Sequence, residues 1–393
     1  MNVVYVSPNG AGTALVRSQV LAYLRGLAER GTSFDLVTFE RDDDPSFPEG
    51  DFPRDRWHGI RARRGGGIAA KVLDVLRGVV LVLGLTLARR ARILHARSYL
   101  PAAIVWLVPR VVRRPYVFDM RGFLGDEYVE GRHWGAGTWP HRLLRASERR
   151  LLADAAGIVV LTDAAAERLR SDPRYAPAVG NTPVLVTPCA VDLGRFRPIA
   201  ERPGPPTLVY AGSLGLSYAL DAMLGLYAAA REHLPALRFL ILNRKDHALI
   251  AAGITRLRLA DADIIVRSGE FDEMPALLGA AHAGICLLDQ VSSKLASSPI
   301  KIGEYLACGL PVVLNRGIGD AAGQVAAAGA GHVVETYSDA EIRRAGAALA
   351  ALVGDERARR AARALAEDRY GVPAGVDAYA GLYDEIIARR EGR

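Results

Sequence analysis

Short apolar runs alternate with longer stretches of helical periodicity along most of this 393-residue chain. This alternation is typical of parallel sheets with crossover helices, so the predicted fold class is α/β. The predicted strands of the first half are Val3 to Val6, Asp35 to Phe39, Ile93 to Ala96, Tyr116 to Asp119, Ile158 to Leu161 and Val184 to Thr187. Those of the second half are Thr207 to Ala211, Phe239 to Leu242, Ile264 to Val266, Ala283 to Leu287, Pro311 to Leu314 and His332 to Val334.

The two sets of strands predict two domains. A chain of this length exceeds one hydrophobic core, and its 50% apolar content can fill two. The Pro-rich segment Ile199 to Pro206 separates the sets, which indicates domains at 1–196 and 207–370. The last segment, 371–393, carries a helical apolar stripe. Another apolar stretch, Gly78 to Ala88, predicts a core helix, with a helix on a membrane surface as the alternative.

The segment Ser298 to Val313 holds the most informative polar pattern. Ser298 and Pro299 are typical of a helix start, and Gly309 is typical of a helix end. Lys301 then lies in the first helical turn, where the helix dipole disfavours a cation unless an anion is bound there. Glu304 follows one turn later and could accept hydrogen bonds from sugar hydroxyls. The pair suits a nucleotide sugar; the alternative is an ordinary helix-to-strand turn with a solvated Lys and Glu.

With these residues the chain resembles the nucleotide-sugar-dependent glycosyltransferases of the GT-B fold, in particular the large retaining family four. The family pattern is filled by Pro299, Lys301, Glu304, Tyr305, Ala307, Gly309, Pro311, Val312 and Val313. Two further segments, Val184 to Phe196 and Tyr210 to Leu220, are similar to family segments. The resemblance implies two Rossmann-like domains that face across a cleft, an active site in that cleft, and a C-terminal helix that crosses back to the first domain.

Two features of the family are missing. The loop Gly212 to Tyr218 contains no cation, and Ala296 stands where the first carboxylate of the family's acidic pair is expected. Other cations must then stabilise the leaving diphosphate, because it gains negative charge as the glycosidic bond breaks. The predicted catalytic residues are Arg121, Lys294 and Lys301. The predicted donor-binding residues are Gly12, Gly212, Ser213, Arg244, Lys245, Ser298 and Glu304.

Some of these assignments have structural alternatives. Gly12 is expected to let a backbone amide approach the donor, but a tight turn would explain it equally. Arg121 could bind a phosphate or pair with Asp126 and Glu127. His95 ends a predicted strand and is either a sugar ligand or a core histidine.

The predicted activity is sugar transfer from a nucleoside diphosphate sugar to a saccharide or lipid-linked acceptor, in cell-surface glycan assembly. Retention of anomeric configuration is implied by the family alone. We expect no metal and no cofactor besides the co-substrate, because Asp261 and Asp263 precede a strand and form no metal motif. The alternatives are a GT-B sugar-nucleotide epimerase and a non-catalytic sugar-nucleotide-binding subunit.

Charge is distributed unevenly. Through residue 196 the chain has 28 Lys and Arg against 20 Asp and Glu, whereas the remainder has 22 against 23. The basic clusters could contact anionic lipid at a membrane, or be solvated arginines. Aromatic residues do not interleave with them, which argues against nucleic acid. Three cysteines without paired spacing indicate a reducing compartment, so we expect the cytoplasm, with peripheral contact to the inner face of the plasma membrane as the further expectation.

Overall fold

A computed structural model describes residues 1–62, 67–215 and 217–392, and the side chains of 67–71, 109 and 110 are outside that description. The chain folds into two compact units. The first consists of Met1–Pro188 together with Val372–Arg393, and the second is Cys189–Gly371. Each unit is built on its own sheet of parallel strands, so the predicted α/β class is confirmed.

In the first unit, the described residues form a seven-stranded parallel sheet with the order β3-β2-β1-β4-β5-β6-β7. Its strands are β1 (Asn2–Ser7), β2 (Ser33–Glu40), β3 (Trp57–Arg61), β4 (Ile93–Arg97), β5 (Tyr116–Asp119), β6 (Gly157–Val160) and β7 (Val184–Val186). The central strands are buried on both faces, as expected for a parallel sheet covered by helices.

Helices cover both faces of this first sheet. They are α1 (Ala14–Val16), α2 (Ala22–Glu29), α3 (Gly67–Ala88), α4 (Tyr99–Leu107), α5 (Pro109–Val112), α6 (Leu124–Glu130), α7 (Trp139–Asp154), α8 (Asp163–Ser171), α9 (Ala176–Val179) and the chain's last helix, α17 (Val372–Glu391). A π-helical turn, Arg17–Leu21, joins α1 to α2, and a 3₁₀ turn, Arg54–Arg56, precedes β3. Helix α4 packs between α3 and α7, whereas α17 packs against α2. Right-handed crossovers place these two groups on opposite faces of the sheet.

In the second unit, the described residues form a six-stranded parallel sheet with the order β10-β9-β8-β11-β12-β13. Its strands are β8 (Thr207–Ala211), β9 (Arg238–Leu242), β10 (Ile264–Arg267), β11 (Ala283–Cys286), β12 (Val312–Asn315) and β13 (Gly331–Val334). Its helices are α10 (Leu220–His233), α11 (His247–Arg256), α12 (Met274–Gly279), α13 (Ile300–Ala307), α14 (Ala321–Ala328), α15 (Asp339–Leu352) and α16 (Glu356–Arg369), with a 3₁₀ turn at Ser292–Ala296.

Each predicted strand is present, and its ends shift by at most two residues. The sequence pattern missed β3, an edge strand in which only Ile60 is buried. The predicted core helix at Gly78 to Ala88 is the second half of α3, and it is buried along one side only: Val82 and Thr86 are buried, whereas Val80 is 71% exposed and Leu87 61% exposed. No helix in the described ranges is long and apolar enough to span a membrane.

The first unit ends at Pro188, eight residues before the boundary suggested by the sequence. The physical reason is that Val191 bridges to Gly371 and Phe196 packs in the core of the second unit. The C-terminal helix α17 belongs to the first unit. Its buried stripe consists of Val376, Tyr379, Leu382, Tyr383 and Ile386.

Candidate active site

Helix α13 of the second unit carries the predicted Lys–Glu pair and is fixed to the sheet by Tyr305. The Tyr305 hydroxyl accepts a hydrogen bond from the Ala211 amide at 2.8 Å, at the carboxyl end of β8. Its ring lies flat against β11, where a Cβ on Gly284 would come within 2.3 Å of it. A glycine at 284 therefore lets the helix approach the sheet. Because Lys301 lies one turn before Tyr305, this anchor sets the position of the ammonium group.

Lys301 is buried, and its Nζ has no hydrogen-bond partner among the described residues. The ammonium lies between two aromatic rings, 4.1 Å from the centroid of Tyr210 and 3.8 Å from that of Tyr218. Cation–π attraction offsets only part of the cost of removing a charge from water. Burial accordingly lowers the pKa of Lys301 to about 8. Lys301 is thus a cation in the first turn of α13, and it has no counter-ion bonded to it among the described residues.

Glu304 lies one turn further along α13 and is half-buried. Desolvation raises the pKa of its carboxyl group to about 7, although the positive charges of Lys301 and Arg195 oppose the shift. The two side chains therefore influence each other through space, as their spacing on one helix predicts. An acidic group with this pKa is ready to accept hydrogen bonds from a ligand hydroxyl near neutral pH.

The loop after β8 passes directly over the Lys301 ammonium. Gly212 has a φ of +120°, and a Cβ at this position would lie 3.1 Å from Lys301 Nζ. Glycine is required there for its backbone conformation and for the room that it leaves above the lysine. Gly212 and Ser213 are both exposed. The predicted catalytic residue Lys301 thus lies next to the predicted donor residue Gly212, with Glu304 one turn further along α13.

Asn243 and Asp246 hold this loop in place. The Asn243 amide donates to the Gly212 carbonyl at 3.0 Å and to Asp246 Oδ2 at 2.9 Å. The same Asp246 oxygen accepts from the Leu214 amide at 2.8 Å. The hydrogen bond from Asn243 is the main cause that lowers the pKa of Asp246. Sequence reasoning gave these two residues no role, and a polar residue at the end of a buried strand was the available signal.

The other predicted cations of this unit have different surroundings. Arg244 is held away from the lysine by Glu270, to which it donates at 2.7 Å, and by the Gly269 carbonyl. The side chains of Lys245 and Lys294 make no hydrogen bond or ion pair with another residue that the structure describes. Lys245 is exposed, and Lys294 is half-buried in the 3₁₀ turn before α13. These two are free to meet a ligand, whereas Arg244 must first leave its carboxylate.

Ser298 does not cap α13 as predicted. The N-cap residue is Pro299 and makes no side-chain cap, because the helix begins at Ile300, one residue later than expected. The Ser298 hydroxyl instead accepts a hydrogen bond from the Cys189 amide at 3.1 Å. Ala296, which stands where a carboxylate was expected, is buried at the end of the 3₁₀ turn.

Tyr210 and Tyr218 were not predicted as site residues. Both lie in a segment that the sequence marked as a glycine-containing loop, and their rings cover the lysine. The signal that could have predicted them is their position on either side of the glycine loop, which lacks the family's usual cations. They form the walls around the buried Lys301 ammonium.

In the first unit, polar side chains gather at the carboxyl ends of β4 and β5 around Asp119. Its carboxylate accepts from Arg97 at 3.3 Å and from Arg121 at 3.1 Å. These cations hold the pKa of the Asp119 carboxyl well below its usual range, although burial opposes them. His95 is fully buried, stacks on Tyr5 at 4.4 Å and contacts the Tyr383 hydroxyl at 2.7 Å. His95 is thus a core histidine.

The acidic residues after β5 also have structural partners. Asp126 pairs with Arg145 and Arg168, so the alternative in which it pairs with Arg121 is wrong. Gly12 is buried, and a Cβ there would lie 2.1 Å from the Pro45 carbonyl oxygen. Gly12 therefore makes room for the chain's own loop, and its role toward the donor stays a prediction.

Across the described part of the chain, no group of three or more His, Cys, Asp or Glu side chains has an arrangement that could hold a metal ion.

Residues 16–190 match the glycosyl transferase 4-like domain family. A curated relative, the chitobiosyldiphosphodolichol beta-mannosyltransferase of Yarrowia lipolytica, is 33% identical over 105 residues. That match covers 26% of this chain and 22% of the relative, so it spans less than a quarter of the relative's length.

Solved structures resemble the chain over nearly its full length. Sucrose-phosphate synthase from Thermosynechococcus elongatus has a TM-score of 0.74 at 16% identity, and the match covers 99% of each chain. HepE from Anabaena, solved in complex with UDP and glucose, has a TM-score of 0.69 at 14% identity over 98% of this chain and all of that one. At such identities these likenesses establish the fold. The predicted resemblance is confirmed: the chain has the GT-B fold, and its residues 16–190 match the glycosyl transferase 4-like domain family.

Proposed function

We propose that the chain is a glycosyltransferase that moves a sugar from a nucleoside diphosphate sugar to a saccharide or lipid-linked acceptor. The observation that carries this proposal is the buried, unpartnered Lys301 ammonium at the start of α13. A buried cation without a counter-ion is costly, and at the first turn of a helix the dipole opposes it further. A bound phosphate removes both penalties, because it pairs with the ammonium and receives the positive end of the helix dipole.

The neighbouring groups suit the rest of a nucleotide. Glu304 lies one turn behind Lys301 and can accept hydrogen bonds from ribose hydroxyls. Gly212 and Ser213 are exposed and lie over the buried ammonium, so a ligand at this loop would be next to it. Lys245 and Lys294, which have no partner among the described residues, can close on the diphosphate, and Arg244 can join them by releasing Glu270. We also keep Ser298 as a donor contact.

The proposed chemistry needs this positive charge most at the transition state. The bond between the anomeric carbon and the diphosphate oxygen breaks, and the diphosphate leaves with the electron pair. The acceptor oxygen forms the new bond to the anomeric carbon and gives its proton to the departing diphosphate. Lys301 and Lys294 stabilise the growing charge on the leaving group, which is an electrostatic effect of preplaced cations. We further propose that the reaction retains anomeric configuration and needs no metal ion.

On the acceptor side we propose Arg121, whose side chain is 17% exposed beside the buried Asp119. Arg97 and Arg121 both donate to Asp119, and the exposed part of the Arg121 guanidinium suits a phosphate on the acceptor. The Yarrowia relative is named for a diphosphodolichol substrate, which supports a lipid-linked acceptor. The three cysteines are buried and form no disulfide in the described structure, which supports a reducing compartment such as the cytoplasm.

The test begins with donor binding. A panel of nucleotide sugars is screened for thermal stabilisation, and a ligand at 100 times its dissociation constant raises stability by roughly 2.7 kcal/mol. HepE was solved with UDP, so UDP sugars enter the panel first. We expect one base to stabilise the wild type and to lose that effect in Lys301→Met. Stabilisation that is equal in the two proteins would place the diphosphate elsewhere.

Turnover with the identified donor then separates the alternatives. A transferase releases the nucleoside diphosphate fast only when an acceptor is present, whereas an epimerase converts the donor without one. A binding subunit does neither. The anomeric configuration of the product, read by NMR, and activity in the presence of a chelator test retention and metal independence.

A further inference from the structure

Helix α3 of the first unit exposes large apolar side chains. A helix that packs on a sheet normally turns its apolar stripe inward and its polar residues outward. The buried stripe of α3 instead consists of Asp74, Gly78, Val82 and Thr86. The exposed side carries Val72, Leu73, Leu76, Val80 and Leu87.

The close packing of α3 explains its buried stripe. A Cβ at Gly78 would lie 2.9 Å from Ile104 Cδ1 of α4, so the glycine allows the two helices to approach. The Thr86 hydroxyl donates to the Val82 carbonyl of the preceding turn, which satisfies it without solvent. The inward face thus combines a glycine at the contact with α4 and a threonine whose hydroxyl is satisfied within the helix. The exposed leucines and valines leave 38–71% of their surface uncovered in the described chain.

The apolar surface continues over the neighbouring helices of the same layer. Of fourteen large hydrophobic side chains that are exposed in the described residues, ten lie on α3, α4, α5 and α7. Besides those of α3, they are Leu100, Leu107, Val111, Trp139 and Leu143. Trp139 is 75% exposed at the start of α7. Exposed hydrophobic residues scattered singly need no explanation, but a concentration on one helical layer marks an interaction surface.

The charge of this layer indicates what covers it. Residues 67–115 contain nine Lys and Arg and one acidic residue, although Arg89, Arg92 and Arg97 pair with carboxylates outside this range. Arg90, Arg113 and Arg114 have no carboxylate partner among the described residues, and Arg77, near Asp74, is half exposed. Arg63 and Arg64 lie outside the described residues, as do the side chains of Lys71 and Arg110. Apolar side chains among unpaired arginines suit a surface of anionic headgroups over an apolar interior.

We infer that the exposed face of α3, together with the apolar side chains of α4, α5 and α7, is a docking surface for an anionic lipid bilayer. Leu76, Val80 and Leu87 enter the boundary between headgroups and acyl chains, while the arginines bind lipid phosphates. A bilayer fits better than a second copy of the chain. A symmetric dimer through this face would bring the same basic clusters of two copies together, and like charges repel.

Vesicle binding tests the inference. The full chain is sedimented with vesicles of phosphatidylcholine, either alone or mixed with phosphatidylglycerol, at increasing salt. We expect binding to the mixed vesicles only, and a decline with salt, because ions screen surface charges. The variant Leu76→Gln/Val80→Gln should bind at least about tenfold more weakly, since two apolar side chains no longer enter the boundary. The variant Arg90→Glu/Arg113→Glu should lose at least about 25-fold, from roughly fivefold for each basic residue.

Matched controls come from the second unit. Leu249→Gln changes a leucine that is 48% exposed, and Arg343→Glu reverses an exposed arginine, so both should bind vesicles like the wild type. Three results would overturn the inference: no binding to anionic vesicles at low salt, equal binding by the apolar double variant and its control, or a dimer in solution that this variant dissociates. Donor stabilisation is measured without vesicles and should be unchanged in all four variants. The proposed function and the docking surface can therefore fail separately.

Discussion

Two groups of buried cations, one in each unit, differ in how their charge is balanced. In the first unit, Arg97 and Arg121 both donate to the buried Asp119 carboxylate. In the second unit, Lys301 has aromatic rings around its ammonium and no hydrogen-bond partner among the described residues. Burial is similar, since Arg97 and Lys301 are 4% and 6% exposed. The two sites differ in the positive charge that remains available to bind a ligand.

The difference shows how to separate a structural charge from a functional one. A cation that already has a carboxylate partner supports the fold, and removing the partner should damage stability. A cation that has none costs stability in the free protein and regains it only when an anion binds. The two groups should thus respond in opposite ways to substitution.

The largest effect is expected from Asp119→Asn. Without the carboxylate, Arg97 and Arg121 lose the buried acceptor to which both donate. Breaking a buried ion pair by removal of one partner costs about 3–5 kcal/mol. Chemical denaturation of the variant should show a loss of this size in the free energy of unfolding. The matched control is Asp377→Asn, because Asp377 also pairs with an arginine but is 65% exposed, and it should cost less than about 1 kcal/mol. Equal losses in both variants would show that burial does not distinguish the Asp119 group.

Lys301→Met should give the opposite pattern. Methionine keeps the length of the side chain and removes the charge, so stability at pH 7 should stay the same or rise. Turnover should fall about 100- to 1,000-fold, the range seen when one preplaced electrostatic group is removed from a transition state. The measurement is kcat with the donor identified by the panel, beside Arg343→Met as a control for loss of a positive charge. Wild-type turnover in Lys301→Met would refute the active-site assignment.

The fold was predictable because buried parallel strands are continuous apolar runs. Runs such as Tyr116–Asp119 and Thr207–Ala211 have the predicted bounds, since both faces of those strands are covered. Strand β3 was not predicted, because an edge strand with one buried residue has no continuous apolar run. Helix α3 was predicted wrongly for the opposite reason. Its apolar stretch predicts burial, yet apolar side chains such as Val80 and Leu87 are exposed. Hydrophobicity indicates that a surface needs covering but not by what.

The site was predictable only to the level of the motif. The spacing of Lys301, Glu304 and Tyr305 was enough to place a cation and a carboxylate on one helix. The sequence could not show that Lys301 lacks a counter-ion, because this depends on which side chains from β8 and β11 surround the ammonium. Arg244 illustrates the same limit, since its pairing with Glu270 joins residues 26 positions apart.

A pH titration sharpens the comparison. The pKa of Lys301 is about 8 in the folded chain against 10.5 for an ordinary lysine, so the unfolded chain binds more protons between these pH values. The free energy of unfolding of the wild type relative to Lys301→Met should therefore rise between pH 8 and 10.5, by up to roughly 3 kcal/mol. A saturating nucleoside diphosphate should flatten this rise, because the anion favours the charged lysine. A flat difference without ligand would mean that the ammonium already has a partner.

Glu304→Gln gives the smallest expected effect and tests both members of the pair. Burial raises the pKa of Glu304 from 4.5 to about 7, so the folded chain binds more protons than the unfolded chain in that window, and stability falls as pH rises through it. A neutral glutamine does not have this cost, so the variant should be more stable than the wild type at pH 8, by about 1–3 kcal/mol after allowance for partial exposure.

The same variant should bind the nucleoside diphosphate more weakly. A hydrogen bond to a charged group contributes roughly 1.5–3 kcal/mol, so calorimetry should show a loss of about 10- to 150-fold in affinity. Glu356→Gln is the control, since this glutamate is 60% exposed and pairs with Arg359. If affinity is unchanged while stability rises, Glu304 burdens the fold without contacting the ribose. If both change as expected, the half-buried carboxylate, like the lysine beside it, is maintained at a cost to stability because the donor needs it.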